Sequence, residues 1–139
     1  VTLRYLLDTN VLSEPLRPAP NPGIIDKLRA HQDEIATAAP VWHELLFGCH
    51  RLAASKKRRA IEEYLRQVVR PTLPILPYDT AAAGWHAAER ARLTGLGKTP
   101  PFVDGQIAAI ATTNNLVIIT ANVDDFLIFE GLQVEDWRS

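Results

Sequence analysis

Short apolar runs alternate along the chain with longer stretches in which apolar residues recur at helical spacing. Residues 3–7, Leu-Arg-Tyr-Leu-Leu, read as a buried strand that ends at Asp8-Thr9-Asn10, where turn and helix-cap chemistry begins a short helix. Residues 22–31 open on Pro22 and carry Ile24, Ile25 and Leu28 on one helical face. A strand over 35–39 stops at Pro40, and Val41, Leu45, Cys49 and Leu52 then form the stripe of an amphipathic helix. A second helix is predicted over 55–69, a proline-framed strand over 73–76, and an Ala-rich helix over 80–93 that Gly95 and Gly97 end. Pro100-Pro101 opens another helix through Thr113, the run 116–119 has the β-branched character of a central parallel strand, and 133–135 is a short edge strand. Strands alternating with helices predict an α/β fold.

Composition limits what such a fold does. A chain of 139 residues with no repeat, long linker or low-complexity tract is expected to be one domain over 1–139. At 47% hydrophobic residues it has material for one core, yet no apolar run approaches the ~20 residues of a membrane span. Fifteen Lys and Arg against sixteen Asp and Glu leave a net charge of -1, which excludes nucleic-acid binding through a uniformly basic surface. Cys49 is the only cysteine, so an internal disulfide and a Cys-rich zinc site are excluded, and a reducing cytoplasm is the expected location.

The carboxylates change the picture. In open parallel sheets the functional crevice lies beyond the carboxyl ends of the strands, so acids placed just after strands outweigh acids on helix faces. Asp8 follows the first strand, Glu44 is expected in the first turn of the helix after the second, and Asn122, Asp124 and Asp125 follow the fourth. Asp104 lies in the first turn of the helix opened by Pro100-Pro101, on the stripe with Ile107, Ala108 and Ala111. Each also has a plain structural explanation. Asp8 suits a helix N-cap, Glu44 and Asp104 suit first turns where the helix dipole stabilises a carboxylate by roughly 0.3–1 kcal/mol, and Asp124 and Asp125 suit a solvated loop. Convergence from four elements tips the balance. Two carboxylates about 4 Å apart repel by roughly 4 kcal/mol at an effective dielectric of 20. One shared proton cannot neutralise three or four acids, whereas Mg²⁺ or Mn²⁺ takes oxygen ligands and retains waters. The chemistry implied is phosphodiester hydrolysis.

At these same residues the sequence resembles PIN domains, and more narrowly the VapC toxins of bacterial toxin-antitoxin pairs, including the FitB-like branch. Leu6-Leu7-Asp8-Thr9-Asn10-Val11-Leu12-Ser13-Glu14-Pro15 resembles the first acidic motif nearly residue for residue, and His43-Glu44-Leu45-Leu46-Phe47-Gly48 the second. Asp104-Gly105-Gln106-Ile107-Ala108-Ala109 resembles the third, and Thr120-Ala121-Asn122-Val123-Asp124-Asp125-Phe126 the fourth. The resemblance implies a three-layer α/β/α sandwich with a mostly parallel central sheet. It implies a Mg²⁺- or Mn²⁺-dependent endoribonuclease, with one or two ions, acting through a metal-activated water. Asp8, Glu44 and Asp104 become the metal-binding acids. Many relatives carry an Asp two residues after the motif's Thr, and that position here is Asn122, so either Asn122 or Asp125 completes the site. Asn10 and Thr120 become groups that orient the acids. The same resemblance implies a VapB-type antitoxin whose C-terminal segment crosses the active-site groove, a homodimer, and a higher assembly with the antitoxin. Leu46, Phe47 and Leu52 flank the main stripe of their helix and are candidates for an apolar contact patch, or else belong to the core.

Between Arg51 and Arg70 seven basic residues face only two acids, Glu62 and Glu63. A solvated helix face explains such a run; a phosphate-contacting flank built on Lys56, Lys57, Arg58 and Arg59, and continued by Lys98, explains it equally. The histidines His31, His43, His50 and His86 lack zinc-ligand spacing, and there is no G-x-S-x-G or G-x-G-x-x-G motif. Two alternatives to the nuclease are a degenerate, non-catalytic PIN domain, suggested by Asn122, and a receiver-type phosphoacceptor. The second is disfavoured because Asp8 has no acidic partner after the first strand and Asp79 has none at mid-chain.

Overall fold

A computed structural model describes residues 2–138. Five parallel strands, β1 (Tyr5–Leu7), β2 (Ile35–Ala38), β3 (Ile75–Leu76), β4 (Val117–Ile119) and β5 (Val134–Glu135), form one sheet in the order β3-β2-β1-β4-β5. Helices α1 (Thr9–Leu12), α2 (Pro22–Ala30), α3 (Ala39–His50), α4 (Lys56–Glu63), α5 (Arg70–Thr72), α6 (Thr80–Gly95), α7 (Phe102–Thr113) and α8 (Val123–Phe126) connect and flank it. The α/β expectation holds, and the strands are parallel throughout.

β1 is the central strand, with Leu7 level with Thr37 on one side and Ile119 on the other. Tyr5, Leu6, Leu7, Ile118 and Ile119 are all buried, which is why both segments read as continuous apolar runs rather than alternating ones. Thr37, polar and fully buried in β2, is satisfied by donating its hydroxyl to the Leu7 carbonyl at 2.9 Å. Helix α7 packs its Ile107–Ala111 segment into the core; the three alanines there allow close approach of the helix backbone.

Three local expectations need correction. Helix α3 begins at Ala39 with Pro40 inside its first turn, so Glu44 lies one turn further along than expected, beyond the part of the helix where the dipole acts. The predicted 55–69 helix is regular only to Glu63; Tyr64–Val69 widens into π-type turns before the short α5. That widening buries Leu65 and Val69 and lets the Tyr64 hydroxyl donate to the Leu12 carbonyl at 2.7 Å, while Pro71, which lacks an N–H, sits in the first turn of α5. Asp124 and Asp125 belong to the first turn of α8 rather than to a loop. A four-residue helix with one buried side chain, Phe126, is too short to leave a periodic signal. In the predicted patch on α3, Phe47 is 54% exposed, whereas Leu46 packs against the core and Leu52 is half-buried.

Candidate active site

The sheet order reverses direction between β1 and β4, and the crevice beyond their carboxyl ends is where an open α/β sheet has room for a ligand. Asp8 and Thr120 stand there, each just past its strand. The Asp8 backbone N–H continues the ladder by donating to the Ile119 carbonyl at 3.0 Å, which fixes where the side chain emerges. Asp8 then caps α1: its Oδ1 accepts from the Thr9 N–H at 2.8 Å. Its Oδ2 accepts from the Thr120 hydroxyl at 2.8 Å and, more weakly, from the Asn10 side-chain amide at 3.4 Å. The cap expected of Asp8 and its place at the crevice are thus compatible, because each oxygen has its own task.

Thr120, fully buried, is the hub of this network. Its Oγ1 accepts from the Asn122 N–H at 3.0 Å while donating to Asp8, and Asn10 Oδ1 accepts from the Ala121 N–H at 2.9 Å. Two segments more than a hundred residues apart are thereby clamped, and Asp8 keeps its orientation at 8% exposure. Asn122 enters through its backbone.

Asp104, half-buried near the start of α7, has its carboxyl pushed up to about 6. Burial is the largest cause, followed by the negative charges of Asp8, Asp125 and Glu44 in that order. Four elements therefore deliver carboxylates close enough to disturb one another. Among the acids of the fourth motif it is Asp125 that acts on Asp104. Glu44 and Asp125 are exposed, so they rim the site while Asp8 and Asp104 form its floor.

Of the basic residues singled out, Lys56, Lys57 and Arg59 are exposed on α4 and Lys98 is exposed between α6 and α7. Arg58 is engaged instead: its Nε donates to Glu62 at 2.8 Å and its Nη1 to the Leu52 carbonyl at 2.9 Å. Two groups went unnoticed in the sequence. Arg138 forms a close ion pair with Asp136 and lines, with Asn122, Asp124 and Asp125, one surface depression beside the fourth motif. Glu14, buried within the first motif, accepts from the Asn21 N–H at 2.9 Å. Nothing in spacing or residue type marks either pair in advance.

A family model described as the PIN domain matches residues 5–129. The chain belongs to the PIN-domain family. Toxin FitB of Neisseria gonorrhoeae is 33% identical over 136 residues, covering 96% of this chain and 98% of FitB. The tRNA(fMet)-specific endonuclease VapC of Shigella flexneri is 27% identical, covering 97% of this chain and 98% of its own. Among solved structures, FitAB bound to an IR36 DNA fragment superposes with a TM-score of 0.88 at 30% identity, covering 97% of this chain and 96% of that one. DNA-bound VapBC from Salmonella typhimurium gives 0.85 at 26% identity, covering 97% and 98%. Two further relatives carry the names VapC ribonuclease Y4jK and ribonuclease VapC2.

The donor chemistry of this PIN domain suits a hard divalent cation. The four side chains offer only carboxylate oxygen, and the charges acting on Asp104 are all negative. Among the described residues no three His, Cys, Asp or Glu side chains close into a ready-made metal cage. A pair of inner acids with two rim acids matches an ion that takes one or two carboxylates and keeps its waters.

Proposed function

We propose that this PIN domain is a Mg²⁺- or Mn²⁺-dependent endoribonuclease and the toxin half of a pair with a VapB-type antitoxin. The observation that carries the reading is convergence at the carboxyl edge of the sheet: Asp8, clamped by Thr120 just past β1, and Asp104, half-buried in the first turn of α7, whose carboxyl is raised by burial and then by the charges of Asp8, Asp125 and Glu44. A carboxyl raised by burial together with named like charges, in a crevice, is an arrangement common at functional sites. Asp8 and Asp104 would hold the ion, joined by Glu44 directly or through water. Either Asp125, whose charge acts on Asp104, or Asn122, whose side-chain carbonyl is neutral, would complete the set. When bound, the ion would lower the pKa of a water and polarise a phosphoryl oxygen.

The chain's own residues supply orientation. Thr120 and Asn10 hold Asp8 so that its Oδ2 does not rotate away. Lys56, Lys57, Arg59 and Lys98 are available to RNA phosphates, a contribution that weakens steeply with salt. One ion or two, the acids require a cation before a polyanion can approach.

An antitoxin fits the surface as well as the family. A cavity of about 930 Å³, bordered by Leu7 of β1, is lined by Leu12, Ile25, Leu28, Tyr64 and Val68. Its apolar lining suits an apolar segment of the antitoxin, and none of the four acids is among its lining residues. Exposed Phe47 on α3 is the candidate contact for a homodimer and for a higher assembly with the antitoxin. Among the described residues no helix is long and apolar enough to cross a membrane, and the reading places the toxin with its RNA in the cytoplasm. The test is to purify Asp8→Asn and Asp104→Asn: both should keep the wild-type circular dichroism spectrum yet lose RNA cleavage and growth inhibition. Undiminished cleavage by both would refute the assignment.

Asn122 supports a second reading, a non-catalytic PIN domain that binds RNA or antitoxin without cleaving. Calorimetric titration with Mn²⁺, with and without RNA, separates the two, because the second predicts no metal binding in either case.

A further inference from the structure

His86, on α6, is 2% exposed and lies where α6 packs against α7. Its Nδ1 is 2.7 Å from the Tyr78 hydroxyl, and its ring centroid is 4.7 Å from that of Phe102 at the start of α7. Its Nε2 has no hydrogen-bond partner among the described residues. A buried unpartnered nitrogen is uncommon and calls for a reason. The reason lies across the interface. The imidazole edge occupies the space where Gly105 would carry a side chain: a Cβ there would overlap Nε2 and stand 2.6 Å from Cδ2. The ring cannot swing aside easily, since Tyr78 holds one edge and Phe102 one face. Gly105 has no positive φ to justify it, unlike Gly97 and Gly131. Its lack of a side chain serves the ring.

We propose that His86 is a positioning residue for Asp104, seated through Gly105, the next residue along α7. The inference rests on the reading of Asp104 as a site acid. A flat imidazole edge enters the glycine notch where a branched aliphatic chain of similar volume would be too thick. The first turn of α7 is thereby drawn onto α6, and that turn carries Asp104 to the crevice beside Asp8. Restoring a side chain at position 105 must push the helices apart or displace the ring, and either moves the carboxylate. Misplacement of about 1 Å costs on the order of a hundredfold in rate where geometry is decisive.

Three variants test this: Gly105→Ala, His86→Ala and His86→Ala/Gly105→Ala. The readouts are the Asp104 carboxyl ¹³C resonance in the metal-free protein, and kcat and KM for RNA with Mg²⁺. Gly105→Ala, which displaces the ring, and His86→Ala, which removes it, should each shift the resonance, and Gly105→Ala should lower kcat by about tenfold or more with little change in KM. The double variant, in which the new methyl fills part of the space the ring leaves between α6 and α7, should lie nearer wild type in both readouts than either single variant. An unshifted resonance with unchanged kcat in Gly105→Ala, or a double variant no better than Gly105→Ala, would overturn the inference. Should Gly105→Ala fail to fold, a folded double variant with the wild-type Asp104 resonance supports it and an unfolded one overturns it. If the wild-type protein cleaves no RNA, the proposed function fails, and the resonance alone still decides the positioning role.

Discussion

Glu89 and Asp104 are carboxylates on neighbouring helices, and their surroundings are opposite. Glu89 is buried on α6, yet Arg92 grips it from both oxygens, Nε at 2.7 Å and Nη2 at 2.9 Å, and the Glu130 N–H donates at 3.0 Å. The guanidinium, first of all, holds its carboxyl below the usual range. Asp104 on α7 meets no cation, only burial and three further acids, and its carboxyl rises from 3.8 to about 6. The first arrangement is finished within the chain and ties α6 to the turn before β5. The second leaves like charges that the described residues do not neutralise, the arrangement that the proposed cation would complete.

Substitutions should treat the two differently. The largest effect is expected at the site, where Asp104→Asn or Asp8→Asn should reduce RNA cleavage by at least about a hundredfold while the fold survives, measured by initial rates on labelled RNA. Stability should move the other way at Asp104. Below pH 3.8 it is protonated in both the folded and the unfolded chain; between 3.8 and about 6 the unfolded chain loses its proton first, so folding stability falls, and above 6 the penalty is complete. Metal-free Asp104→Asn should therefore be more stable than wild type at pH 7 by about 1–2 kcal/mol, after allowing for solvent screening of a half-exposed group, and the advantage should vanish near pH 4 in urea melts.

At Glu89 the sign reverses. Its folded carboxyl lies below the ordinary 4.5, so its contribution is present above that value and is lost as pH falls through the folded pKa. Glu89→Gln should destabilise by about 1–3 kcal/mol at pH 7 without altering metal affinity, because it leaves a guanidinium half-partnered. The smallest effect is expected on the flank: Lys56→Ala/Lys57→Ala should weaken RNA binding several-fold at low salt and reduce the salt dependence of the affinity, read by filter binding at several KCl concentrations.

Much of this was legible in the chain, for reasons that differ by residue. Buried parallel strands read clearly because Tyr5–Leu7 and Val117–Ile119 are apolar on both faces, and Pro22, Pro40 and Pro101 mark the starts of three helices. Asp8 and Asp104 stood out because each occupies an element's end, where position along the chain translates directly into position in the fold. What was hidden depends on non-local pairing. The Thr120 bond to Asp8 joins residues 112 apart in sequence, Arg92 reaches both Glu89 and the Ile128 carbonyl, and the notch that Gly105 offers His86 exists only once α6 meets α7. Glu44 was placed one turn early because the start of α3 at Ala39 carries no side-chain cap to announce it. The net charge of -1 excluded only a uniformly basic surface; locally the chain pairs an acidic crevice with the basic start of α4.

The claim on which the rest depends is that the carboxylates around Asp104 need a divalent cation to act on RNA. Cleavage of RNA by the purified chain, measured in Mg²⁺ and again in excess EDTA with Asp104→Asn run alongside, tests it directly. Cleavage by the wild-type chain in Mg²⁺ alone, with none in EDTA and none from Asp104→Asn in either condition, is the expected result. Undiminished cleavage in EDTA, or wild-type rates from Asp104→Asn in Mg²⁺, would contradict it.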